Sequence, residues 1–148
     1  MVEFPSAVLF ACTMNSVRSP MAEAILKFLH GTHIYVDSVG VRSKEIDGFA
    51  ITVMDEIGID LSLHKAKTFD DLEDNYYDLV ITLSPEAQHR AVEMTRVMAC
   101  TIEFWNTFDP SILSNEDRDS RLNAYRQIRD QLIKRIKAKF PINTASDT

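Results

Sequence analysis

Ala7-Val8-Leu9-Phe10-Ala11-Cys12-Thr13-Met14-Asn15-Ser16-Val17-Arg18-Ser19-Pro20 is the stretch whose reading decides the fold. Its first five residues form a short, continuous apolar run, the pattern of a strand buried on both faces. Beyond Arg18 the spacing changes. Ala22, Ile25, Leu26 and Leu29 recur on one face of a helix expected over residues 19–30. Ser19 is suited to cap that helix, Pro20 to its first position and Glu23 to its first turn. A buried strand feeding a helix through one short loop opens a strand–helix–strand unit.

The rest of the chain repeats the alternation. Strands are expected at Ile34-Tyr35-Val36, at Asp78-Leu79-Val80-Ile81-Thr82-Leu83 and from Thr101 to Trp105. Helices are expected over residues 48–57, 85–96 and 116–139, the last with Leu122, Tyr125, Ile128, Leu132 and Ile136 along one stripe. Alternating strands and helices with right-handed crossovers predict an α/β fold, a single three-layer domain whose four-stranded parallel sheet is flanked by helices. The domain is expected over residues 1–140, with a flexible, polar tail over residues 141–148. Ligands of such sheets sit at the carboxyl ends of the strands.

Composition narrows the possible functions. The chain has 148 residues, a net charge of −6, two cysteines and four histidines. Two cysteines make no disulfide framework, and so few cysteines and histidines argue against a structural metal site. The acidity argues against a nucleic-acid surface, and no apolar run reaches the length of a membrane span. Met1-Val2-Glu3-Phe4-Pro5 does not look like a secretory signal, so a cytoplasmic location is expected. The Lys134-Arg135-Ile136-Lys137-Ala138-Lys139 cluster reads as solvated cations near a helix C-terminus.

The first loop carries the chemistry. Backbone amides between a strand and a helix can curl into an anion nest, and the helix N-terminus adds partial positive charge. The same field favours a thiolate at Cys12. Arg18 can clasp two oxygens of a tetrahedral oxyanion, and Ser19 can donate to the sulfur when it departs. Asn15 tolerates the left-handed backbone such a curl needs in a loop without glycine. Thr13, Met14, Asn15, Ser16, Val17 and Ser19 are thus the expected phosphate-binding loop. Asp109, just beyond the fourth strand, belongs at the same sheet edge, and Pro110 restricts it to extended geometry. Each residue alone has an ordinary reading: Cys12 a small core residue, Asp109-Pro110 a turn. Together they form a nucleophile, an oxyanion clasp and a general acid.

Cys12-(x5)-Arg18-Ser19-Pro20 with a late Asp109-Pro110 resembles the low-molecular-weight protein-tyrosine-phosphatase family, which also includes thioredoxin-coupled arsenate reductases. The resemblance runs from the first strand to the last helix and implies a Rossmann-like domain. It implies that Ser38, after the second strand, and His64, in His64-Lys65-Ala66-Lys67, hold Asn15 in place. It also implies a metal-independent, cofactor-free hydrolase acting on a phosphorylated protein or small phosphate ester, phosphotyrosine being the family default. In that scheme Cys12 attacks phosphorus, Asp109 protonates the leaving oxygen, and water activated by Asp109 releases Cys12.

Four departures bear on the substrate. Met14 stands where the loop often has glycine and is expected at the rim, and Val17 where it often has a second cysteine. The 38–49 segment looks short, leaving Phe49 to serve as an aromatic wall or as a core residue. Ser111-Ile112 follow Asp109-Pro110 where tyrosines are common. The arsenate reductase branch needs a resolving pair after the third strand, and those positions hold Ser84 and Ala91. Cys100 is expected to pack in the core. Trp105 before the Asp-Pro loop resembles the reductase branch, so an arsenate reductase using an external thiol is the alternative. A non-catalytic phosphate- or phosphopeptide-binding module is the remaining one.

Overall fold

The computed structural model describes residues 4–72 and 76–142. Four strands, β1 (Ala7–Cys12), β2 (Tyr35–Gly40), β3 (Leu79–Thr82) and β4 (Thr101–Phe104), form one parallel sheet in the order β2-β1-β3-β4. Four α-helices, α1 (Arg18–His30), α2 (Gly48–Asp55), α3 (Pro85–Met94) and α4 (Arg118–Lys139), cover it. Single 3₁₀ turns occur at Phe69–Asp71 and Pro110–Ile112. The α/β single-domain architecture expected from the alternation is the one found.

β1 is central, so every one of its residues is buried. Its pleat sends alternate side chains to opposite layers. Val8, Phe10 and Cys12 join the core shared with α1 and α4, whereas Ala7, Leu9 and Ala11 join Ala87, Ala91 and Met94 of α3. Burying Phe10 and Leu9 in full contributes about 1.5–3 kcal/mol each. The chain leaves β1 toward β2 on one side and returns to β3 on the other. The crevice beyond the carboxyl ends of β1 and β3 is therefore the topological switch point where such sheets bind ligands.

Three sequence expectations need correction. Ser19 does not cap α1: the helix begins at Arg18, Val17 is the capping residue without a side-chain bond, and the Ser19 hydroxyl turns inward. Pro20 consequently occupies the third helical position, where its missing N–H costs nothing because the first four amides lack intrahelical partners. Second, β2 extends to Gly40, so Ser38 lies within the strand. The polar Asp37-Ser38 pair concealed this; Lys67 Nζ, 2.7 Å from Asp37 Oδ2, and the Tyr77 hydroxyl, 3.3 Å away, satisfy the buried carboxylate. Third, α4 begins at Arg118, capped by Asp117 accepting from Ser120 N at 2.7 Å, two residues later than expected. Most of the expected tail, residues 143–148, and part of the 70–74 acidic run lie outside the described residues.

Candidate active site

The 13–17 loop curls because a neighbouring segment takes its carbonyls. The oxygens of Cys12, Thr13, Met14 and Ser16 accept hydrogen bonds from the amides of Val41, Arg42, Lys44 and Asp47 at 2.8–3.1 Å. With the carbonyls turned outward, the amide edge of the loop becomes its inner face, and Asn15 N–H points at Cys12 Sγ from 3.3 Å. Asn15 has φ 53°, the only positive value at a described non-glycine residue. Gly40 makes the close approach possible, since a Cβ there would stand 2.3 Å from Arg42 O and 2.7 Å from Asn15 N. The missing loop glycine is thus compensated by a glycine on the adjacent strand.

The floor is a closed hydrogen-bond network. Ser19 Oγ lies 2.9 Å from Cys12 Sγ. Asn15 Nδ2 donates to Ser19 Oγ at 2.8 Å and to Ser38 Oγ at 2.9 Å, and its Oδ1 accepts from Lys67 N at 3.0 Å. Because that amide nitrogen donates twice, Oδ1 is the acceptor facing His64 Nε2 at 3.0 Å, so His64 carries its proton on Nε2. Ser38 Oγ donates to Glu23 Oε1 at 2.5 Å, and Glu23 also faces His64 Nδ1 at 3.9 Å. Burial pushes the His64 pKa below the ordinary histidine value, while the Glu23 carboxylate pulls it back up.

Arg18 is propped from both of its terminal nitrogens. Its Nη1 donates to Thr107 O at 2.9 Å, and its Nη2 lies 3.4 Å from Thr13 Oγ1. Thr13 in turn donates to Ser84 Oγ at 3.0 Å. Asp109 lies 3.7 Å from Arg18 through its Oδ2. Pro110 keeps Asp109 extended (φ −92°, ψ 104°), and its Oδ1 accepts from Ser111 N and Oγ at 3.0 and 2.7 Å. One carboxylate oxygen is tied down while the other faces the loop. Cys12, Arg18, Ser19, Asn15 and Asp109, expected from the sequence, and Ser38 and His64, implied by the family resemblance, are brought together. The sequence pattern does not reveal the roles of Glu23, Gly40, Lys67 and the 41–47 segment, and it presents Glu23 only as a helix-start residue.

The remaining positions bear on thiol chemistry. Ser84 is buried and caps α3 through Ala87 N at 3.2 Å, and Ala91 packs in the α3 core. Cys100 packs against the α3-side core, on the opposite face of the sheet from Cys12, and burial pushes its thiol pKa up. Cys12 therefore has no second thiol on its own face of the sheet among the described residues. Phe49 is half-buried against the α1–α4 core, its ring 5.4 Å from that of Tyr125 and 4.3 Å from the Arg121 guanidinium.

The sequence profile described as low molecular weight phosphotyrosine protein phosphatase matches residues 7–140. The chain belongs to this family. Within it, a protein of Synechocystis sp. named glutaredoxin arsenate reductase is 33% identical over 129 residues, covering 87% of this chain and 92% of its own. An arsenate reductase of Bacillus subtilis is 31% identical over 130 residues, covering 88% and 91%. Among solved structures, an arsenate reductase in its oxidised state superposes with TM-score 0.73 at 30% identity, over 90% of this chain and 95% of that one. A tyrosine phosphatase of Erwinia amylovora shares the fold with TM-score 0.69 at 20% identity, over 91% and 93%. No described helix is long and apolar enough to cross a membrane.

Proposed function

We propose that Cys12 is a nucleophile toward a tetrahedral oxyanion, that the oxyanion is arsenate, and that the reducing thiol comes from outside the chain. The observation that carries this reading is the solitary Cys12 at the base of an oxyanion cradle, with Ser84 and Ala91 where an internal relay would need cysteines. Relatives named arsenate reductases, at 31–33% identity over nearly the whole chain, support it.

In this reading the Cys12 thiolate attacks arsenic while Arg18 and the loop amides hold the equatorial oxygens. Asp109 protonates the departing oxygen, which leaves as water. Cys12 is only 1% exposed, so the outward-facing arsenic of the adduct, not its sulfur, is what an incoming thiol meets. The thiol forms a new sulfur–arsenic bond and Cys12 departs as thiolate, its charge met by Ser19 and Asn15 N–H. A second external thiol then attacks the sulfur of the released conjugate. The sulfur–arsenic electron pair passes to arsenic, giving arsenite and a disulfide of the two thiols.

One observation favours a second reading. Asp109 Oδ2 beside Arg18 is also where a phosphate monoester's leaving oxygen would need a proton. There Cys12 would form a phosphocysteine, and water activated by Asp109 would hydrolyse it. Phosphotyrosine would be the default substrate.

The test compares turnover of arsenate, supplied with glutathione or with glutaredoxin or thioredoxin, with hydrolysis of an aryl phosphate. Arsenite formation exceeding ester hydrolysis is the expected result. Ester hydrolysis exceeding arsenite formation with every thiol overturns the reductase reading in favour of the phosphatase. Oxyanion binding with neither turnover leaves a binding module.

A further inference from the structure

We infer that Arg121, with Arg118 beside it, receives a carboxylate of the small thiol that meets the Cys12 adduct; this rests on the arsenate reductase reading. Arg118 and Arg121 are three residues apart in the first turns of α4 and so share a face. Both guanidinium groups lie over the Phe49 ring, at 5.7 and 4.3 Å from its centroid. Phe49 is therefore covered by cations and does not present a bare aromatic wall. This face offers positive charge in place of an aromatic surface.

Arg121 differs from Arg126 and Arg129 of the same helix. Further along α4, Arg126 and Arg129 grip Glu56 at 2.7–3.1 Å. Among the described residues, the Arg121 side chain makes neither a hydrogen bond nor an ion pair, and its Nε is buried without a partner. A guanidinium carries five donors in a planar fork matched to a carboxylate. Here that fork is unspent.

Its position ties it to the site. The Tyr125 hydroxyl donates to Asp47 Oδ2 at 2.9 Å, and Asp47 N donates to the loop carbonyl of Ser16 at 3.0 Å. The Tyr125 ring lies 5.4 Å from that of Phe49, the ring over which Arg121 sits. The nearby acids are already engaged. Asp47 caps α2 and accepts from Tyr125, while Asp109 is held by Ser111 and faces Arg18. The oxyanion belongs to Arg18 and the loop. A second anionic group on an incoming molecule would meet Arg121. Cys12 lies deep in the cradle, so a small thiol that reaches inward while its carboxylate stays at the rim fits this arrangement.

Two measurements on the full chain test it. The first is the ratio of KM for glutathione to KM for 2-mercaptoethanol in arsenate turnover. Replacing Arg121 by Gln should raise that ratio about tenfold, the scale of a lost charge-assisted hydrogen bond, and Arg121→Lys should recover part of it. The second is calorimetric binding of S-methylglutathione, which cannot react, against its carboxyl-esterified form. The wild type should prefer the free acid, and Arg121→Gln should lose the preference. A KM ratio unmoved by Arg121→Gln, with glutathione turnover intact, overturns the role of Arg121 and leaves the reductase reading standing. Arg121-dependent binding of S-methylglutathione without any arsenate turnover supports the carboxylate receptor and removes the reductase reading instead.

Discussion

The floor and the rim of the site are built in opposite ways. On the floor every polar side chain is spent: Asn15 alone engages Ser19, Ser38, Lys67 and His64. The rim draws on separate segments, with a half-exposed Asp109 held by Ser111 and, among the described residues, an Arg121 side chain without a hydrogen bond or ion pair. A satisfied buried network holds one geometry, because an unpaired group there loses its water without compensation. Cys12 and the side chains that hold its loop belong to such a floor. Unspent donors at a rim can be used by whatever arrives.

The comparison is broken most completely at its centre. Cys12→Ser should abolish both arsenate reduction and aryl phosphate hydrolysis, with oxyanion binding retained and the unfolding transition little changed. Residual turnover would remove Cys12 as nucleophile. Next comes the one rim residue assigned to the chemistry. Asp109→Asn should cost about 10²–10⁴-fold in turnover with an unactivated leaving group, the ordinary worth of a positioned general acid. If ester hydrolysis is observed, the loss should be larger for phenyl phosphate than for a nitrophenyl ester, whose leaving group needs less protonation. Equal losses would take the acid role from Asp109.

A third substitution tests how the floor is shaped from outside the loop. Gly40→Ala places a Cβ against backbone atoms of Arg42, Asn15 and Met14, none of which is a flexible side-chain end. Overpacking of this kind costs about 1–3 kcal/mol, and the loop must move to relieve it, weakening inhibition by phosphate. Gly48→Ala is the control, since nothing lies within 4 Å of the added carbon. Chemical denaturation and a phosphate inhibition constant read the two effects. If both variants behave alike, the close approach at Gly40 is not what sets the loop.

These sites also show why parts of the molecule were legible and others not. β1, the loop and α1 form one uninterrupted stretch, so their order could be read directly. Within it the local rule failed at Ser19. Its capping preference gives way to contact with Cys12 Sγ and Asn15, a case of the site overriding propensity. Gly40, Glu23 and Lys67 act through strand order and register. β2 beside β1 sets Cys12 opposite Gly40, and no local pattern in either segment encodes that pairing. Phe49 was recognised as ambiguous between wall and core, but its guanidinium cover comes from a helix about seventy residues away in sequence.

The smallest expected effect sharpens the floor itself. Burial lowers the His64 pKa below the usual 6.5, with Lys67 and Lys27 adding to the shift and Glu23 opposing it. A histidine whose charged form is disfavoured in the fold binds fewer protons there than in the unfolded chain. Stability should therefore decline as pH falls through the ordinary histidine range, levelling once His64 is protonated in both states. Removing the opposing carboxylate with Glu23→Gln should move the His64 midpoint lower still, measured by NMR titration of its ring protons. It should also widen the pH window over which stability is lost. The amide keeps an oxygen that can accept from Ser38, so the experiment changes charge with little change in shape. An unmoved or raised midpoint would mean that Glu23 acts on the loop only as a hydrogen-bond acceptor for Ser38. In that case the floor would hold Asn15 through geometry alone, without electrostatic coupling between Glu23 and His64.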